Sequence, residues 1–447
     1  MPKDELAEVL DGSVALFWPD MHESDVEAEP LRGYLRREGG WAVFEALTEA
    51  PMAFDMFDAP PPHSLAGMAP ATGLLLLELP SPSSSTNFGG YKASTQTFRA
   101  RTAVGSVPLD RLKSTRILEL QAHFLGITTW AQLEPISYEQ TKDSDGRLLT
   151  LSIKLGRSEV ASVPLHGGRQ LSLSSTWDAP GGSDQSTIYA PITISCKVAP
   201  RRKAIDIFGL LGPLLHIQNL LNFAHEGFVA ASGGGCNLDL APPSRNPQFE
   251  PATRPMWNGA LMRALPAVES LTPKQVPAFT LASIGGLHGL RRWIRLAETY
   301  PLAANAVTHL YRMGHTRATD AIRDAANGIE YWVGAHSRTA KWPRLPGNTR
   351  KGSPAKALAR HLGEPFTSWI GDPDRWAEEF WDTYNKLKHE PNFIFENQNL
   401  ASLATSGRLL LAAALLNRAA TSKMPSRQLF RSSSYYNLGL EFRERYK

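Results

Sequence analysis

The chain has 447 residues, enough for two or three domains with separate cores. Apolar residues make up 42% and charged residues 20%, a globular balance that excludes a disordered or fibrous chain. Two cysteines, Cys196 and Cys236, are too few for a disulfide scaffold and point to a reducing cytoplasm. The opening MPKDELAEVLDG is acidic and polar, unlike a signal peptide. No run approaches the roughly 18 apolar residues of a membrane span, so a cytoplasmic protein without a membrane partner is expected. The net charge of +4 is unevenly spread. From Leu271 onward there are 25 Lys and Arg against 14 Asp and Glu, a balance of +11, whereas the preceding residues carry 22 against 29, a balance of −7. A basic C-terminal half beside an acidic N-terminal half fits contact with a polyanion, or simply a basic solvated surface.

The first 200 residues read as strands and turns. Val14–Trp18, Trp41–Phe44, Leu74–Leu79, Leu148–Leu155 and Ile192–Ile194 are short apolar or alternating runs separated by Gly, Pro, Ser and Asp. Pro80–Ser85 and Pro180–Asp184 are loops, and Asp145-Gly146 before alternating Leu149, Leu151 and Ile153 is a hairpin signal. The period then changes. From Ala204 to Val229, Ile207, Leu210, Leu211, Leu214, Leu215, Leu220, Leu221 and Phe228 recur at helical steps. Ser232–Gly235 ends that helix, and Ala241–Pro255 is a Pro-rich connector. Beyond Pro277 the pattern is all helical, with helices expected near 281–298, 302–312, 316–337, 355–361, 373–390 and 400–420, and a basic loop at Pro343–Pro354. The fold class is therefore α+β: a β-rich antiparallel domain at 1–203, a helix and Pro/Gly-rich connector at 204–276, an all-α bundle at 277–422, and a tail at 423–447.

Common chemical signatures are absent. The sequence has no HExxH or paired-Cys metal spacing, no GxxxxGK[ST] phosphate loop and no GxSxG nucleophile turn, so no metal or nucleotide cofactor is expected. One segment does carry chemistry, Trp376-Ala-Glu-Glu-Phe-Trp-Asp-Thr-Tyr-Asn-Lys-Leu-Lys-His389-Glu-Pro391. Its apolar face is Trp376, Phe380, Tyr384 and Leu387. Asn385 and His389, four apart, share another side, flanked by Lys386 and Lys388. Pro391 stops the helix, which leaves His389 at the negative end of the helix dipole. Metal-free RNA cleavage needs a base for the 2′-hydroxyl, an acid for the leaving 5′-oxygen and cations for the phosphorane. His, Asn and two Lys supply those types, although a histidine near a helix end is more often a cap or a solvated residue.

These residues resemble the motif of HEPN domains, helical bundles that carry Arg, four to six residues, then His, often with a polar residue after the Arg. Asn385 and His389 match the polar residue and the His. Tyr384 stands where the Arg is expected, and the nearest upstream Arg is Arg375. A helix with Glu330 inside an apolar stripe of Ile322, Ala325, Ile329 and Val333 precedes the motif, and the apolar Leu409–Leu416 follows it. The N-terminal half resembles ApeA-type regions, with Phe17-Trp18-Pro19, Arg32-Gly33-Tyr34-Leu35 and Trp41-Ala42-Val43-Phe44 in order. Phe124 and Trp130 in HFLGITTW come next, and then FGLLGPLLHIQNLLNFA. From Gly12 to about Ala420 the chain thus resembles ApeA-type bacterial antiphage defence proteins.

The resemblance implies abortive infection: the N-terminal domain senses a phage component or infection signal, and the HEPN domain then cleaves RNA as a homodimer. It implies His389 as general acid or base, Asn385 as its positioning or phosphate-contacting partner, Lys386 and Lys388 as holders of the scissile backbone, and Tyr384 as a neutral donor to phosphate. The missing Arg leaves open a nuclease-dead binding or regulatory protein. A hydrolase in the β-rich half is a further alternative without a motif of its own.

Overall fold

The computed structural model describes residues 5–20, 29–49, 62–70, 72–80, 84–87, 93–133, 136–155, 161–175, 192–242, 253–262, 272–314, 316–336, 353–390 and 397–446. The loops expected at Pro180–Asp184, most of Pro343–Pro354 and the middle of Pro80–Ser85 and Ala241–Pro255 lie outside the described residues.

The strands are β1 (Ser13–Pro19), β2 (Leu31–Glu38), β3 (Trp41–Glu49), β4 (Ser64–Ala69), β5 (Thr72–Leu77), β6 (Ser84–Asn87), β7 (Ala93–Ala100), β8 (Thr102–Val104), β9 (Leu112–Phe124), β10 (Ile136–Lys142), β11 (Leu148–Leu155), β12 (Ala161–Leu165), β13 (Arg169–Ser175), β14 (Ile192–Val198), β15 (Ala231–Leu240) and β16 (Arg254–Asn258). The helices are α1 (Glu5–Leu10), α2 (Ile127–Ala131), α3 (Ile207–Ala224), α4 (Gly259–Met262), α5 (Gly286–Thr299), α6 (Pro301–Thr308), α7 (Leu310–Met313), α8 (Ala318–His336), α9 (Ser353–Leu362), α10 (Phe366–Ile370), α11 (Pro373–His389), α12 (Asn397–Ala420), α13 (Met424–Arg431) and α14 (Ser433–Arg445). The fold class is α+β, with a large antiparallel sheet region followed by a helical region.

The chain divides into two compact units. One comprises Met1–Leu125, Pro135–Leu215 and Ala230–Ala267; the other comprises Gly126–Glu134, His216–Val229 and Val268–Lys447. In the first, fourteen strands run in the order β12-β13-β14-β9-β15-β16-β8-β5-β4-β1-β2-β3-β7-β6. So wide an antiparallel array tends to divide. Here the short β16 links the halves, meeting β15 through Gly235↔Pro255 and Cys236↔Arg254, and β8 through Met256–Asn258. The hairpin expected at Asp145-Gly146 is the two-stranded β10–β11 ribbon.

Alternation explains the core of this unit. Ala15 and Phe17 on β1, Leu35 on β2, Ala42, Phe44 and Ala46 on β3, and Phe98 and Ala100 on β7 point inward beside Leu6 and Leu10 of α1. The Phe17 and Phe44 rings meet edge to face at 4.7 Å. Gly33 pairs with Ala46, and a Cβ there would lie 2.1 Å from the Glu45 carbonyl oxygen, so glycine lets β2 and β3 close. At the end of β5, the Glu78 carboxylate accepts hydrogen bonds from Thr102 Oγ1 and from Asn258 Nδ2, the latter at 3.0 Å. Burial pushes the Glu78 carboxyl above its ordinary range, against the lowering pull of the Thr102 and Asn258 donors and nearby Arg101.

Several sequence expectations need correction. Residues 204–276, expected to hold one helix and a connector, also contain β15 and β16. Three glycines hide β15 from propensity, yet its ladder to the thirteen-residue β9 satisfies the backbone. The stretch expected as a tail at 423–447 is, over its described residues, not a tail. It forms α13 and α14, anchored by buried Leu429, Phe430, Tyr435 and Phe442. The helix expected from Leu281 begins at Gly286, because Gly285 and Gly286 take φ of 88° and 65°. Two helical stretches, Ile207–Ala224 and Asn399–Ala420, are long and apolar enough to cross a membrane, contrary to expectation. About two thirds or more of each is buried inside the structure, as in core helices.

In the helical unit α12 is the central element, packed with α8, α5, α6, α9 and α13. An aromatic cluster joins α10, α11 and α13: Phe366 meets Trp376 at 5.0 Å, and Trp369 meets Phe430 at 5.0 Å. Trp376 Nε1 donates to Ser406 Oγ at 2.9 Å. At Gly407 a Cβ would lie 2.4 Å from the Phe380 ring, so α12 approaches α11 closely at that turn. These contacts fix α11, which carries Tyr384, Asn385 and His389.

Candidate functional site

Local chemistry frames α11 at both ends. Asp372 caps its start, its carboxylate accepting from the N–H groups of Asp374 at 2.9 Å and Arg375 at 3.1 Å, with Pro373 as the first helical residue. At the far end, Lys386 O receives the Glu390 N–H at 2.8 Å. Leu387 O has no such partner four residues on, because Pro391 carries no N–H. Arg323 Nη2, from α8, donates to Leu387 O at 3.0 Å and fills that vacancy.

The apolar face expected from the sequence is buried: Trp376, Phe380, Tyr384 and Leu387, joined by Ala377 and Trp381. Asn385 is half-buried and His389 exposed, one helical turn apart. Neither lines the cavity bordered by Phe279, Arg427 and Ser434 or the one bordered by Asn305, His309 and Arg408. Lys386 pairs with Asp382 at 2.8 Å, and that hydrogen bond holds its ammonium above the usual range. Lys388 Nζ sits 5.7 Å from the centroid of the Tyr384 ring, within cation–π reach. Tyr384 itself is buried, and its hydroxyl donates to Asn327 Oδ1 at 3.0 Å. The residue in the Arg position therefore serves the packing of α11 against α8.

Two residues of this neighbourhood escape the sequence, Arg323 and Asn327. They lie four apart on α8 and so on one side of it. Arg323 also lies 3.7 Å from Asp320, one turn back. Nothing in the local pattern ties them to α11, because 64 residues separate Arg323 from Leu387. The stripe expected on α8 holds for Ile322, Ala325 and Ile329, which are buried. Glu330 is exposed, however, and Trp332 fills the inward position. Among the described residues no group of three or more His, Cys, Asp and Glu is arranged to hold a metal ion.

Comparison with known proteins bears on the N-terminal half. No curated protein and no solved structure matches the chain. Residues 51–244 match the family described as ApeA N-terminal domain 1, a span that holds HFLGITTW and the FGLLGPLLHIQNLLNFA helix but starts after β1–β3. The chain thus carries an ApeA-like N-terminal domain, which suggests an antiphage defence family.

Proposed function

We propose that the protein is an antiphage defence factor acting by abortive infection, with a HEPN-type, metal-independent endoribonuclease in its helical unit. The observation that carries the reading is the Arg323 guanidinium on Leu387 O, two residues from His389. It brings the cation that the motif lacks in sequence to the motif's end by tertiary packing. In this mechanism the 2′-oxygen attacks the adjacent phosphorus as a base removes its proton. The phosphorane then expels the 5′-oxygen, which an acid protonates, leaving a 2′,3′-cyclic phosphate and a 5′-hydroxyl. His389 moves the proton. Arg323, Lys388 and Lys386 offset the phosphorane charge, and Asn385 orients His389 or the phosphate. A homodimer would supply two histidines, one as base and one as acid. The ApeA-like region is the proposed sensor of a phage component or infection signal.

A second reading is a nuclease-dead binding or regulatory protein. It is favoured by Tyr384, which is committed to Asn327 in the Arg position, and by Lys386, which is paired with Asp382. Purified full-length protein assayed on RNA in EDTA separates the two. The nuclease reading expects cleavage, with cyclic-phosphate ends, that falls about 100- to 10,000-fold in His389→Ala. Arg323→Ala should fall about 10- to 100-fold, with partial recovery in Arg323→Lys. RNA binding without cleavage by the wild type would establish the second reading.

A further inference from the structure

Elements α6, α7, α8 and α12 enclose a cavity of about 390 Å³. Its apolar wall is mostly alanine, and its polar groups are Asn305, His309, Thr316, Asp324, Thr405 and Arg408. Arg408 is the anomaly. Its Nε is sealed from solvent and has no hydrogen-bond partner, and no carboxylate among the described residues lies within ion-pair distance of its guanidinium. The guanidinium carbon sits 5.6 Å from the centroid of the Tyr311 ring. Glu226 acts on Arg408 at longer range, but its carboxylate is paired with Lys274 Nζ at 2.9 Å. Asp324 is exposed at the cavity edge; partial burial and then the nearby Asp320 push its carboxyl above the ordinary Asp range, against the weaker lowering pull of His309.

We infer that this cavity is a binding site for a small organic anion whose phosphate or carboxylate group pairs with Arg408. Arg408 is half-buried, with its Nε sealed from water and unpaired, so an anion in the cavity would meet a cation that solvent serves only in part, and its planar fork fits both head groups. The volume falls in the range of small-molecule pockets and exceeds what a bare ion needs. Thr405 and Asn305 add neutral hydrogen-bonding groups, and the alanine wall leaves room for a short carbon skeleton.

The test is calorimetric titration of the full-length protein with inorganic phosphate, adenosine 5′-monophosphate and succinate. The phosphate and carboxylate arms identify the head group. The inference expects saturable binding of at least one probe, weakened about 10- to 100-fold in Arg408→Gln, the loss expected for a charged hydrogen bond. Asp324→Asn, at an exposed position, should tighten the same probe by removing a like charge. Ala401→Phe, also exposed, should block it by filling the cavity, and this variant serves if Arg408→Gln fails to fold. Absence of saturable binding for all three probes, or unchanged affinity in either blocking variant, would overturn the inference. None of these readouts depends on RNA cleavage, so the site stands or falls apart from the proposed nuclease.

Discussion

Tyr384 shows how much a single position can say and how much it withholds. Its place in the motif, one residue before Asn385, is legible in the sequence, as is its membership of the apolar stripe. Its bond to Asn327 and the arrival of Arg323 at Leu387 O are not, because both depend on α8 packing beside α11. Tyr384→Arg should therefore destabilise the protein by about 1–3 kcal/mol, since it buries a charge and breaks a bond to Asn327. Urea unfolding measures this. An unchanged midpoint with faster RNA cleavage would show instead that the side chain swings out and restores the family pattern. Glu78 gives a second residue-scale prediction. Its carboxyl is raised by burial, so its contribution to stability is fully present below the ordinary Glu range and is lost as pH rises through the raised value. Glu78→Gln keeps an oxygen to accept from Thr102 and Asn258 without the buried charge. Its unfolding midpoint should exceed that of the wild type at pH 8, and the gap should close toward pH 4. A variant less stable at both pH values would contradict this.

At the scale of elements, periodicity located most helices and the strands with alternating apolar residues. It failed where packing overrides local preference. In β15, Gly233, Gly234 and Gly235 read as a stop, but pairing to β9 makes them strand. In α13 and α14, Leu429, Phe430, Tyr435 and Phe442 are spaced too unevenly for one helix, and the break at Ser432 resolves them into two. The closeness of α11 and α12 was likewise hidden, since neither Gly407 facing the Phe380 ring nor Ser406 accepting from Trp376 follows from local pattern. Gly407→Ala tests that contact. Helix propensity alone would stabilise the variant by about 1 kcal/mol, whereas a methyl group forced against the ring should cost about 1–3 kcal/mol. A lowered unfolding midpoint supports the packing, and a raised one contradicts it.

For the whole molecule, the sequence divides acidic from basic residues near Leu271, and the structure divides sheet from helices with a boundary at Val268 in the last crossing. The charge reading and the fold therefore agree on where the basic half begins. They do so although the chain crosses between units at Gly126–Glu134 and His216–Val229, which no composition shift marks. The proposed division of labour, with sensing in the ApeA-like region and RNA cleavage at α11, rests on that organisation. It is tested most directly by challenging bacterial cells with phage while they carry either the wild-type chain or His389→Ala at matched abundance, and following survival and RNA integrity together. The account predicts protection with RNA fragmentation for the wild type and loss of both in His389→Ala. Full protection by a folded His389→Ala protein would contradict it.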